Sequence, residues 1–324
     1  MFVCPLTKKK VSPIFENGNL ISYNSELGNS YIVTDGLPNF YVTSVDLTWQ
    51  EYYSMNADSY DLYNHLTFAI QGFDEYKVRQ EVVDLLNVKK GDKILELGCG
   101  TGRDSILIAD KAQREGAKLH CLDASLPMIL KCRDKLQDFS LNDVVYVVAN
   151  GEYIPFEDNY FDHVFSFVAF APIANKELFL KEIARVLKPG GKVILGSEGL
   201  LPSLKGRDFG KKIIQNCDLY DSKPPLDILP AQARNVSLRW ILNGIIYILQ
   251  FDIEDGEVEG NFDLIISGKR GGSINTRFYW NLDGVSPDTK DLFEKAVSKS
   301  KLSKHEWLND CIKNEINRIK NERI

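Results

Sequence analysis

Along the middle of the chain, short apolar runs alternate with amphipathic stretches. Ile94, Leu95 and Leu97 form one compact run that ends in glycines, as a strand buried on both faces would. Similar runs predict strands over 118–123, 144–149, 163–168 and 192–197. Helices are predicted between them over 104–113, 127–137 and 176–187, the last with Leu178, Ile183 and Val186 on its apolar side. Lys188-Pro189-Gly190-Gly191 reads as its stop signal. This alternation predicts an α/β fold, a parallel sheet with helices on both faces. Upstream, 1–42 reads as short strands and turns, a small N-terminal β ribbon. Residues 43–90 read as a helical lid rich in aromatics: Trp49, Tyr52, Tyr53, Tyr60 and Tyr63. Downstream, 199–243 is longer than a simple crossover needs and reads as an insertion beside a substrate pocket, with Arg207, Tyr220, Arg234 and Trp240 as contact candidates. Residues 245–253 and 262–268 flank an acidic turn and read as a β-hairpin. In 273–324 a helical extension is expected, starting at Ser286-Pro287, with Leu308, Ile312, Ile316 and Ile319 on one face. That face reads as docked on the core, or alternatively as a homodimer contact.

The chemistry concentrates after the first of these strands. Gly98, Gly100 and Gly102 alternate, so the backbone can turn sharply and approach a ligand, with the N–H groups of the next helix aimed at it. Dinucleotide enzymes space such glycines as G-x-G-x-x-G to seat a pyrophosphate. Here the spacing is G-x-G-x-G, and Glu96 stands two positions before it. A carboxylate there would repel phosphates and attract an ammonium group, which fits S-adenosylmethionine. Asp123, at the end of the next strand, is placed to accept both ribose hydroxyls.

Together, Glu96-Leu-Gly-Cys-Gly-Thr-Gly102, Asp123, Asn150-Gly-Glu-Tyr-Ile-Pro-Phe156, Phe161-Asp162 and Leu187-Lys-Pro-Gly-Gly191 resemble the class I S-adenosylmethionine-dependent methyltransferases over roughly 52–270. The resemblance implies a doubly wound, mostly parallel seven-stranded sheet across 91–272, with the final strand antiparallel beside the fifth. It implies cofactor contacts from Glu96, Gly98, Cys99, Gly100, Asp123, Ala124, Met128, Asn150, Gly151, Glu152 and Phe167. Asn150 stands where the family often has an acid; its carbonyl can still accept from the adenine amine. The segment Tyr60-Asp-Leu-Tyr-Asn-His-Leu66, with Val78-Arg79 downstream, resembles the entry helices of ubiquinone and menaquinone C-methyltransferases. In that resemblance these helices cover the cofactor, with Tyr53 and Tyr60 as lid candidates; Arg79 reads as that or as a surface charge. After strand four, Phe167 to Pro172 offers no Asn-Pro-Pro-Tyr segment and no obvious base. His163 reads as structural. Glu198, at the end of strand five, is a candidate base or acceptor anchor.

Cys4-Pro-Leu-Thr7 and Ser22-Tyr-Asn-Ser25 have the spacing of two C-x-x-C knuckles, and 31–40 resembles the tail of the zinc ribbon found in some rRNA guanine methyltransferases and in small activators of tRNA methyltransferases. Thr7, Ser22 and Ser25 cannot replace thiolates. A degenerate ribbon held by Tyr31, Ile32, Leu37 and Phe40 is expected, and no metal site.

The 324 residues include 44% hydrophobic and 26% charged, and the net charge is −6. Such a chain reads as globular, with nucleic acid an unfavoured partner. Six cysteines, Cys4, Cys99, Cys121, Cys132, Cys217 and Cys311, lie scattered and read as free thiols. No signal peptide is visible, and the apolar run at 245–251 is too short to span a bilayer. A cytoplasmic methyltransferase acting on a small apolar or aromatic acceptor is the expectation. An RNA methyltransferase and a non-catalytic cofactor-binding scaffold are the alternatives.

Overall fold

In a computed structural model of the chain, residues 1–43, 48–139, 141, 143–256, 258, 260 and 286–321 are described. They divide into two units, Met1–Val258 and Glu259–Ile324.

The first unit opens with a four-stranded antiparallel sheet: β1 (Val11–Glu16), β2 (Asn19–Ser25), β3 (Ser30–Thr34) and β4 (Leu37–Pro38), in that order. Its buried side carries Phe2, Tyr31, Leu37 and Phe40. Ile32, expected among them, is 60% exposed because it alternates with Tyr31 along β3 and faces solvent. Cys4 Sγ lies 3.0 Å from Tyr31 Oη and accepts from Asn29 Nδ2 at 3.6 Å. Phe2 bridges to Phe156, and Phe40 N donates to the Val148 carbonyl at 2.8 Å. This sheet is thereby tied to the edge of the central one, and its rings share one core with Phe156, Phe161, Leu180 and Ile183.

Three helices follow, α1 (Thr48–Asn56), α2 (Tyr60–Ile70) and α3 (Glu75–Val83). Then comes the alternating core: β5 (Lys93–Leu97), α4 (Ser105–Glu115), β6 (Lys118–Asp123), α5 (Leu126–Asp138), β7 (Val144–Val148), β8 (Phe161–Phe167), α6 (Lys176–Val186) and β9 (Leu187–Glu198). Local chemistry sets the ends. Gly116 closes α4 at φ +72°; Ser125 caps α5 and Asn175 caps α6 through N–H groups three residues on. The stop signal at 188–191 is not a free turn: β9 already begins at Leu187, which pairs with Phe161 before the register shifts.

The seven strands run in the order β10-β11-β9-β8-β5-β6-β7, with β5 to β9 parallel. The hairpin differs from the expected one. Its strands are β10 (Ala233–Ile241) and β11 (Ile246–Ile253), and β11 is antiparallel beside β9. Residues 233–241, within the stretch that reads as insertion, are instead an edge strand: Arg234, Asn235 and Ser237 lie at its bulge, where one face stays wet. The expected strand at 262–268 lies outside the described residues. The rest of 199–243 holds α7 (Asp208–Asn216) and three single 3₁₀ turns.

In the second unit, α8 (Pro287–Ser300) and α9 (Lys304–Asn321) pair as a hairpin, with Phe293 edge-on to Trp307 at 5.1 Å. Ile312, Ile316 and Ile319 are exposed.

Candidate functional site

A cavity of about 970 Å³, counted to its open mouth, lies over the carboxyl ends of β5, β6, β7 and β8. Its floor is backbone, made of Gly98, Gly100, Ala124 and Gly151. Gly98 and Gly100 hold φ of +73° and +53°, a region a side chain disfavours. A Cβ on Gly98 would overlap Ala169, and one on Gly151 would overlap the Phe179 ring.

Two polar side chains face this floor. Asp123 ends β6; its carboxylate accepts from Gly100 N and Ser125 N, both at 2.8 Å. Burial raises its pKa to about 6, against the lowering effect of those N–H groups. Asn150 is 6% exposed, and neither its Oδ1 nor its Nδ2 has a partner. An unpaired buried amide costs ~1–3 kcal/mol, so an amide left open on a cavity wall fits a ligand edge that both donates and accepts. Glu152 also lines the cavity, where its Oε1 accepts from Asn175 N at 2.9 Å. Met128 supplies an apolar side.

The lining is otherwise largely aromatic: Tyr41, Trp49, Tyr53 and Tyr60, with Phe179 beside Gly151, and Pro172 and Ile173. Tyr53 meets Tyr60 edge-on at 5.9 Å and Trp49 at 5.9 Å. Burial raises both phenols, Tyr60 to about 12. Of the lid helices, α2, which bears Tyr60, and α3 are latched to the glycine turn by charge. Asp61 accepts from Thr101 Oγ1 at 2.6 Å and pairs with Lys135 at 2.6 Å, while Arg103 bridges Asp61 and Glu75. Arg79 is no surface charge. It is 7% exposed, pairs with Glu75 at 2.6 Å and Asp104 at 2.5 Å, and lies 5.3 Å from the Phe68 and Phe167 ring centres.

Four of the expected residues stand off the cavity. Glu96 and Ile94 point to one face of β5 while Leu95 and Leu97 point to the other, and Leu97 takes the place on the lining. The Glu96 carboxylate instead accepts from Ser105 Oγ at 2.6 Å beneath the turn. The Cys99 side chain is turned into the core on that same side. Phe167 packs against Arg79, and the lining passes to Val168, Ala169 and Pro172. Val168 holds φ +59°, an outlier for a β-branched residue and one that costs ~1–3 kcal/mol where it persists. Glu198 does not line the cavity either. It is 7% exposed, within reach of Ser197 Oγ at 3.3 Å, and its pKa is raised by burial. Its charge acts on the Tyr53, Tyr60, Tyr220 and Tyr247 phenols around it. His163 lies elsewhere, bonded to Asp92 at 2.9 Å.

Trp49, of the aromatic lid, and Val168, of the segment after strand four, line the cavity, and so do Tyr41, Gln50, Ser125 and Phe179, which the sequence did not single out. Gln50 and Ser54 reach the loop after β6, at Ala124 O (3.4 Å) and Ser125 Oγ (2.8 Å). The one sequence signal available was the aromatic cluster of the lid.

Residues 95–195 match the family described as "Methyltransferase domain". Demethylmenaquinone methyltransferases of Bacillus mycoides (strain KBAB4) and Bacillus cereus (strain ATCC 10987 / NRS 248) are each 34% identical over 139 residues, 43% of this chain and 56% of theirs. The chain thus spans little more than half the length of these relatives. Among solved structures, phosphoethanolamine N-methyltransferase 2 of Haemonchus contortus, in complex with S-adenosyl-L-methionine, aligns with a TM-score of 0.50 and 15% identity, over 67% of this chain and 61% of that one. That likeness concerns the fold alone. No helix among the described residues is long and apolar enough to cross a membrane.

Proposed function

We propose that this chain, whose residues 95–195 form a methyltransferase domain, is an S-adenosylmethionine-dependent methyltransferase. The observation that carries the reading is the unpaired Asn150 amide beside the buried Asp123 carboxylate on a glycine floor. Asp123 would accept from the ribose hydroxyls. Asn150 would meet the adenine edge, its carbonyl accepting from the exocyclic amine. Gly98, Gly100, Ala124 and Gly151 leave room for close backbone approach, and Met128 would cover the base. Glu96 acts from beneath the turn, not as the ammonium contact.

The cofactor brings an activated methyl group, so the chain's task is to align an acceptor in line with it and to exclude water. Alignment alone can supply ~7–11 kcal/mol of the barrier. The aromatic lining of Tyr41, Trp49, Tyr53, Tyr60 and Phe179 fits a small apolar or aromatic acceptor. The demethylmenaquinone named for the Bacillus relatives belongs to that class. Glu198, whose charge raises the Tyr53 and Tyr60 phenols, is the buried carboxyl group proposed to take a proton, relayed through them, where the acceptor must lose one.

Calorimetric titration with S-adenosylmethionine and S-adenosylhomocysteine tests the cofactor half. Saturable binding by the wild type, lost in Asp123→Ala and weakened in Asn150→Ala, is expected. A well-folded wild type that binds neither compound would overturn the reading. Transfer of labelled methyl only to highly charged acceptors would overturn the acceptor class alone.

A further inference from the structure

Cys99, Cys121 and Cys132 stand far apart in sequence, and their spacing resembles no metal motif. The fold nevertheless brings them together. Cys99 leaves the glycine turn, Cys121 comes from the middle of β6 and Cys132 from α5, and their sulfurs all lie within 4.8 Å of one another. All three are buried, at 5%, 0% and 0% exposure. A second observation concerns the carboxylate that the cavity does not use. Glu96, 2% exposed, has its Oε2 3.6 Å from Cys121 Sγ, and no cation among the described residues pairs with it. Ser105 Oγ joins the two ends of the group, donating to Glu96 at 2.6 Å and lying 3.4 Å from Cys132 Sγ.

We propose that Cys99, Cys121 and Cys132 form a site for one thiophilic divalent ion of the zinc class, with the fourth position left to an oxygen donor. Zinc–sulfur bonds of about 2.3 Å in tetrahedral geometry place sulfurs about 3.8 Å apart, so closing the site moves the sulfurs by about an ångström or less. The ion takes three thiolates, and their three protons pass to solvent. No redox partner is needed. The ion then sits directly behind the glycine turn, on the face of the sheet away from the cavity, and ties the turn to β6 and α5. The site is separate from the proposed methyl transfer and does not depend on it.

The test uses the full chain, reduced, stripped with a chelator, reloaded with zinc alone and dialysed. One ion per chain by mass spectrometry under native conditions is expected, with proton release on loading. X-ray absorption at the zinc edge is expected to show three sulfur neighbours and one oxygen. Cys99→Ala, Cys121→Ser and Cys132→Ser should each lower retention at least tenfold, whereas Cys217→Ser and Cys311→Ser should retain the ion. The absorption spectrum is read on the wild type, so it stands even where a core variant fails to fold. A wild-type chain that retains no zinc, or a bound ion with fewer than two sulfur neighbours, would overturn the proposal. So would retention unchanged in Cys99→Ala and Cys132→Ser.

Discussion

Two buried carboxyl groups stand at the ends of parallel strands, Asp123 on β6 and Glu198 on β9, and they live in opposite surroundings. Asp123 faces the cavity and accepts two backbone N–H bonds, which hold part of its charge in place. Glu198 lies 3.3 Å from Ser197 Oγ, and its charge raises the phenols of Tyr53, Tyr60, Tyr220 and Tyr247. Burial pushes both groups upward against donors that pull back: backbone N–H groups of the glycine turn and of the loop after β6 on Asp123, and Ser197 Oγ with the residue's own N–H on Glu198. The proposed roles follow this difference in position: Asp123, on the cavity, as the acceptor for the ribose hydroxyls, and Glu198, off it, as the proton-handling group.

Both halves depend on the lid, so the largest effect should come from its latch. Arg79→Ala would leave Asp104 buried without its cation, a change that costs ~3–5 kcal/mol when one partner of a buried pair is removed, while Glu75 keeps Arg103. Urea unfolding should show the midpoint fall accordingly; an unchanged midpoint would mean the network contributes nothing. Next, Glu198→Gln should lower turnover about 10²-fold, the lower end of what a positioned base contributes, with cofactor affinity unchanged. Equal loss of turnover and cofactor affinity would merge the two carboxyl groups into one role. Asp123→Asn should do the converse. It keeps one acceptor and loses the charge, so the dissociation constant measured by calorimetry should rise roughly ten- to a hundredfold, for ~1.5–3 kcal/mol.

How far these roles could be read from the chain follows the same division. The β5 run, the glycine spacing and Asp123 are local signals, because backbone geometry alone demands glycine and a strand end. The place of Glu96 in the motif does not say which face of β5 it occupies, and its carboxylate turns to Ser105 rather than to the cavity. Phe167 and Val168 differ by one position, and one position along a strand exchanges core for cavity. Arg79 resembles an exposed helical charge until Asp104, 25 residues on, folds back against it. The three converging cysteines and strand β10 were hidden for a related reason: each is defined by a partner distant in sequence.

The finest distinction between the two carboxyl groups is in their response to pH. Asp123 is held at about 6, above the ordinary carboxylate range, by burial. With the cavity empty, the stability gained from its proton is present at low pH and is lost as pH rises through about 6. Ribose hydroxyls donate to the ionised form, so cofactor binding works against that proton. Affinity should therefore weaken as pH falls through about 6, approaching tenfold for each further unit, which is about 1.4 kcal/mol. In Asp123→Asn this dependence should vanish while Glu198→Gln retains it, since Glu198 does not line the cavity. Calorimetry from about pH 5 to about pH 7 on the three proteins separates these outcomes. A wild-type dissociation constant flat across that range would remove Asp123 from the ribose contact. A dependence that disappears in Glu198→Gln instead would place the titrating group on the acceptor side and invert the comparison.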